Sequence, residues 1–164
     1  MSTLFELRSK QLISVLAAWQ AIGSKLWRPY FLALLAEACA KAGQVKEELT
    51  VLAEALAAVD NTGERFYEAE LYRLKGECLL RQVANPSSSQ EAEACFQQAL
   101  TVARRQEAKS LELRAAMSLS HLWQRQGKRA EAYDLLVPIY GWFTEGFDTA
   151  DLQEAKTLLD ELGA

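Results

Sequence analysis

One histidine, three cysteines and a scatter of carboxylates are the residues of this 164-residue chain that could do chemistry. The histidine, His121, lies in Ser118-Leu119-Ser120-His121-Leu122-Trp123. A serine–histidine–acid centre needs a serine in line with the imidazole, an orienting carboxylate and an oxyanion hole. Ser118 and Ser120 are too close to His121 along a helix to present a hydroxyl in line, and no glycine elbow surrounds them. His121 therefore reads as a structural or groove-facing residue. The acidic pairs Glu47-Glu48, Glu68/Glu70 and Asp160-Glu161 are the types used in glycoside hydrolysis or metal binding, but carboxylate-rich helices usually make solvated faces. No Glu-x-x-His pair is present for a di-metal bundle. Cys39, Cys78 and Cys95 are odd in number, and their spacings of 39 and 17 fit no zinc or redox motif. Each sits in an apolar helical pattern, as a buried free thiol in a reducing cytosol would. There is no glycine-rich phosphate loop with Lys-Ser/Thr. The expectation is a chain without catalytic residues, metal or cofactor.

The elements that position these residues are helical. Half the residues are apolar and 24% are charged, which excludes a disordered tail. The length suffices to bury a core without disulfide or metal staples. A net charge of −4 argues against non-specific nucleic-acid binding. No apolar run approaches the roughly 20 residues that span a bilayer, so no membrane partner is expected. Leu12 to Ala18, after Arg8 and Lys10, has the look of a signal core. Trp19-Gln20 follow it instead of a small-residue cleavage site, and the expected location is cytoplasmic. Charge is uneven: Glu131 to Ala164 holds eight acids and one base, whereas Arg81 to Ala130 holds eight bases and four acids. Such a chain can attract a charged partner or a second copy of itself.

Apolar positions recur at three and four residues almost throughout, the signature of amphipathic helices. Eight are expected: Leu4 to Ile22, Trp27 to Lys41, Val45 to Val59, Glu64 to Arg81, one opening near Ser88 and running to Arg105, Lys109 to Gln126, Arg129 to Tyr140, and one from Asp148-Thr149 to Leu162. Gly43 and Gly127 mark C-terminal caps. Ser88 with Glu91 fits a capping box.

Three segments share one grammar of small and large residues around a turn. They carry Leu35-Ala36, Cys39, Leu52 and Ala55; then Tyr72, Gly76, Leu79, Ala92, Phe96 and Ala99; then Leu119-Ser120, Trp123, Ala132, Leu136 and Ile139. This resembles the tetratricopeptide repeat, a helix–turn–helix unit of about 34 residues. The resemblance implies an all-α, right-handed superhelix of antiparallel helix pairs, a TPR-like α-solenoid. Repeats near 29–60, 69–105 and 113–140 would form one domain over 1–164, with a flanking N-terminal helix and a capping helix near 148–162. HEAT-like pairs are the alternative architecture. Glu48 departs from the pattern by standing where a small residue belongs, so the first pair would be splayed or shifted by one residue. Lys75 replaces the usual leucine before Gly76. The second repeat has about four extra residues near Asn85 to Ser89. The stretches Arg28 to Ala38, Gly63 to Glu77, Glu93 to Leu100 and Gly127 to Thr149 together look like the C-terminal tetratricopeptide region of large bacterial regulators. Those proteins join a nucleotide cyclase or DNA-binding output domain and a signalling-type ATPase to such an array. This chain would be a detached sensor or scaffold module of that bacterial signalling type.

In arrays of the resembled type, first-helix positions 2, 5, 9, 12 and 13 line the concave face. They fall on Tyr30, Ala33, Glu37, Ala40 and Lys41; on Glu70, Arg73, Glu77, Leu80 and Arg81; and on Arg114, Met117, His121, Gln124 and Arg125. These spacings share one side of a helix. The face would carry five bases and capture a peptide with acids or a free carboxylate, since arginine grips carboxylates with two parallel bonds. The same residues could instead pair along their helices, Glu70 with Arg73 and Glu77 with Arg81. Tyr140, Trp142, Phe143 and Phe147 would seal the last repeat beneath the capping helix. Two other functions stay open: a self-associating fragment, homodimeric through its N-terminal helix, and a small-molecule sensor with a closed apolar pocket near Met117 and Trp123.

Overall fold

The computed structural model describes residue 14 and residues 27–82 and 87–164. The described residues form seven helices: α1 (Arg28–Lys41), α2 (Val45–Thr62), α3 (Glu68–Arg81), α4 (Ser88–Arg105), α5 (Lys109–Arg125), α6 (Arg129–Tyr140) and α7 (Ala150–Gly163). The expected first helix, Leu4 to Ile22, lies outside the described residues. Each helix packs on the next. In addition α1 packs on α3, α3 on α5 and α5 on α7, whereas α2, α4 and α6 do not meet one another. The odd-numbered helices thus make one continuous inner layer, with the even-numbered ones behind it.

The turns explain the hairpins. At the α1–α2 turn the N–H of Gln44 donates to the Cys39 carbonyl at 2.9 Å, and at the α5–α6 turn Lys128 does the same to Trp123 at 2.9 Å. This six-to-one bond needs a left-handed residue just before the donor. Gly43 (φ +71°) and Gly127 (φ +80°) supply it without a Cβ penalty. The α4–α5 turn has the same bond, Ala108 to Ala103 at 2.9 Å, but Glu107 holds the left-handed position at φ +55°.

Packing follows the repeat grammar. Ala36, Gly76 and Ser120 stand at equivalent places on α1, α3 and α5. Glu48, Ala92 and Ala132 face them from the second helices, 12 residues later in the first and third hairpins and 16 later in the second. The four additional residues fall in the α3–α4 connection. Leu52, Phe96 and Leu136 follow, all completely buried. The smallness is a steric demand: a Cβ on Gly76 would lie 2.5 Å from the Phe96 ring. Ser120 fits because its hydroxyl donates to the Ala132 carbonyl at 3.2 Å.

Several boundaries differ from expectation. Helix α2 continues to Thr62, where the Gly63 N–H (φ +75°) closes onto the Val59 carbonyl at 2.8 Å. Helix α3 opens at Glu68 and not Glu64, because residues 63–67 turn and carry Phe66 and Tyr67 against Trp27 and Tyr30. The capping box does not form: Ser88 is buried with its hydroxyl unpartnered, and it is Ser87 that reaches Glu91, at 2.6 Å. The aromatic seal is partial. Tyr140 and Phe143 pack against the core, while Trp142 and Phe147 are exposed. Helix α7 buries Leu152, Ala155, Leu158 and Leu162 and packs on both α5 and α6, where the first helix of a fourth hairpin would stand.

Glu48 neither splays the first hairpin nor shifts its register. It is fully buried, and Arg81 of α3 reaches back to one of its oxygens; the other oxygen has no partner. Burial pushes its carboxyl up, against the opposing pull of the Cys78 thiol and Arg81. Cys78, whose thiol donates to the Val45 carbonyl at 3.6 Å, is pushed up to about 12, chiefly by burial and also by the neighbouring Glu48 carboxyl. A carboxyl raised on folding binds its proton more tightly in the native state, so its ionisation costs stability as pH climbs from the ordinary carboxyl range to the raised value. Glu48→Gln lacks that contribution. Its melting temperature relative to the parent is therefore expected to rise between about pH 4 and pH 7. A difference that stays flat across that range, by calorimetry, would contradict the assignment.

Candidate ligand groove

The inner layer carries a groove of about 550 Å³ between α3, α5 and α7. Nine of the residues expected on the concave face line it: Arg73, Glu77, Leu80 and Arg81 from α3, and Arg114, Met117, His121, Gln124 and Arg125 from α5. Glu70 is buried and bonded to the lining residues Arg73 and Arg114. Tyr30, Glu37 and Lys41 of α1 do not line the groove. Tyr30 stacks edge-on to Tyr67, with centroids 5.1 Å apart, in the aromatic cluster at the other end of α3. Glu37 is half-buried and acts on Arg73 only through its charge, and Lys41 is exposed in the last turn of α1.

Four lining residues were not anticipated: Phe96, Ser118, Asp151 and Glu154. Ser118 lies one turn beyond Arg114, so the helical face was simply wider than five positions. Phe96 comes from α4 through the gap left by Gly76. Asp151 and Glu154 belong to α7, the expected capping helix, which also forms one wall of the groove.

The arginines are largely matched from within. Arg73 is buried, and its Nε and Nη2 donate to the two oxygens of Glu70 at 2.9 and 2.6 Å. Its Nη1 donates to Glu77 and, at 3.4 Å, to the Ser118 hydroxyl. Burial alone would lower the basicity of Arg73; its bonds and charge contact with Glu70 outweigh this and raise it. Arg114 joins Glu70 at 3.0 Å and Asp151 at 3.9 Å, tying α5 to α3 and α7. Arg81 is held by Glu48, and not by Glu77 as the helical spacing suggested. His121 Nε2 stands 3.6 Å from Glu154. Among the described residues Arg125 has no ion pair, and it is exposed at the groove edge.

This arrangement can bind but has no convergent nucleophile and base. The Ser118 hydroxyl donates to Glu77 at 3.0 Å, Ser120 is turned into the core, and His121 faces Glu154. Among the described residues no three of His, Cys, Asp or Glu are placed to hold a metal ion, and no helix is long and apolar enough to cross a membrane. Trp123 is not part of the groove; its indole N–H donates to Glu93 on α4 at 2.9 Å. The space beside Met117 is lined mainly by charged and polar side chains.

No family model matches the chain, and no curated protein matches it. Solved structures do. One is a Podosopora anserina protein assigned as a kinesin light chain with nearly identical TPR-like repeats. It superposes with a TM-score of 0.65 at 20% identity, covering 96% of this chain and 77% of that one. A point variant of the same protein gives 0.61 at 19% identity, covering 97% and 85%. The fold is a TPR-like solenoid. At such identity the likeness is one of backbone architecture, and the groove residues of this solenoid are its own.

Proposed function

We propose that this solenoid is a non-catalytic protein-interaction module that holds a peptide segment in the groove between α3, α5 and α7. The observation that carries the reading is the half-buried Leu80 standing with the exposed Arg125 along one groove of about 550 Å³, whose floor is the nearly buried Met117 and the buried Phe96. Leu80, above that apolar floor, would take a hydrophobic side chain of the peptide. Arg125, without an internal carboxylate, would take an acid or a terminal carboxylate beside it. The carboxylates already on Arg73 and Arg114 fix the groove's shape in advance, which lowers the ordering cost of binding.

A library of short acidic peptides, read by fluorescence anisotropy, tests this. Arg125→Glu reverses an exposed charge and is expected to weaken the best binder by about tenfold, near 1.4 kcal/mol, without changing the melting temperature. Binding that ignores Arg125→Glu, or that shifts resonances only on α2, α4 and α6, would count against the groove. The finer reading, a cytoplasmic sensor or scaffold module of a bacterial cyclase- or ATPase-type regulator, is supported by the four sequence stretches that resemble such proteins. Homodimerisation through the N-terminal segment, Leu4 to Ile22, is the second reading, and a mass that doubles on concentration would favour it.

A further inference from the structure

A second cleft, of about 610 Å³, lies between the α4–α5 turn and the loop after α6. It is lined by Arg104, Glu107, Lys109, Ser110, Trp142 and Phe143 and shares no lining residue with the groove. Trp142 is 57% exposed, unusual for the largest apolar side chain. Its ring already accepts one ammonium: Lys109 Nζ stands 5.7 Å from the centroid. The Lys109 and Arg104 charges are taken up by the buried carboxylate of Glu112, at 2.8 and 2.9 Å. Those bonds draw the Glu112 carboxyl below its ordinary value, although burial pulls it upward.

Glu107 is the residue left over. Its carboxylate has no hydrogen bond or ion pair among the described residues, and its backbone is left-handed where the matching turns have Gly43 and Gly127. A glutamate there is strained, and nothing inside the fold uses its side chain. The following loop adds Glu145 and Asp148 and no base, with a second exposed aromatic in Phe147. Aromatic faces beside unmatched carboxylates attract cations that carry an apolar stem.

We infer that this cleft docks a basic segment of a partner protein, with an arginine or lysine laid against the exposed part of the Trp142 ring and its charge on Glu107. Labelled protein would be titrated with a capped peptide of glycine and arginine, followed through the Trp142 indole resonance and the amides of 104–110. Saturable shifts that weaken at high salt are expected. Glu107→Gly relieves the left-handed strain, so it is expected to raise the melting temperature while weakening the peptide by about tenfold. The inference is overturned if Glu107→Gly leaves the affinity unchanged, if the Trp142 signals do not move at millimolar peptide, or if the glutamate counterpart of the peptide binds there as well or better. It is equally overturned if those signals move with protein concentration alone, which would assign the face to a second copy of the chain.

Discussion

Phe96→Ala is expected to lower the free energy of unfolding by about 3–5 kcal/mol, measured by urea denaturation. The ring is completely buried, and it fills the space where α3 and α4 cross at Gly76. Removing it takes away the transfer energy of the side chain and leaves a void that the small residues Gly76, Ala92 and Ala99 cannot close. The converse change makes the same point. A methyl at Gly76 would meet three ring atoms at 2.5 to 2.9 Å. Gly76→Ala gains about 1 kcal/mol in helix propensity, yet overpacking of about 1–3 kcal/mol opposes it. The double variant should lose less than the sum of the two, because alanine at 76 then faces the vacated ring site. A loss below about 1 kcal/mol for Phe96→Ala would mean that the hairpin does not depend on this contact.

Arg73→Met is the other large effect, with an expected loss of about 3–5 kcal/mol at neutral pH. Arg73 is only 8% exposed, and Glu70 beneath it is almost wholly buried. Methionine keeps most of the aliphatic stem but leaves Glu70 with Arg114 as its remaining cation. The cost comes from the carboxylate left behind and not from the pair as such, since replacing both members of a buried pair is often close to neutral. Glu70→Gln combined with Arg73→Met should therefore recover much of the loss. If the double variant is as damaged as the single one by thermal denaturation, the arginine acts through packing alone.

Most of the fold was legible because it is written in local signals. Gly43 and Gly127 end helices through a backbone conformation that glycine alone adopts freely, and the 3.6-residue pattern shows each buried stripe. The equivalence of Leu52, Phe96 and Leu136 could be read from spacing. Helix geometry also placed Arg73 with Arg81, and Arg114, Met117, His121 and Arg125 with one another, on one side of their helices; which side that is came from the resemblance to the repeat family.

What stayed hidden depends on partners distant in the chain. Arg81 has Glu77 one turn away, yet it takes Glu48, 33 residues upstream. A fully buried carboxylate needs a cation more than a half-exposed one does. The opening of α3 at Glu68 is set by aromatic contacts between Phe66, Tyr67 and a different helix. Asp151 and Glu154 reach the groove only because α7 continues the inner layer. Glu107 defeats the glycine rule, so although the turn between Arg105 and Lys109 was placed, its left-handed residue could not be recognised from residue type.

The hydrogen bonds of the turns and caps have a mechanical meaning. Among the described residues every backbone hydrogen bond outside the helices closes a turn or a cap, and none crosses from one hairpin to the next. The outer helices also do not touch each other. A pull along the array would be carried between hairpins by side chains alone: the packed apolar layers and links such as Arg114 to Glu70 and Asp151. There is no ladder of bonds to shear all at once. Under tension the chain would lengthen by peeling off one hairpin after another, each at modest force, and it would bend readily toward a curvature that a bound partner prefers.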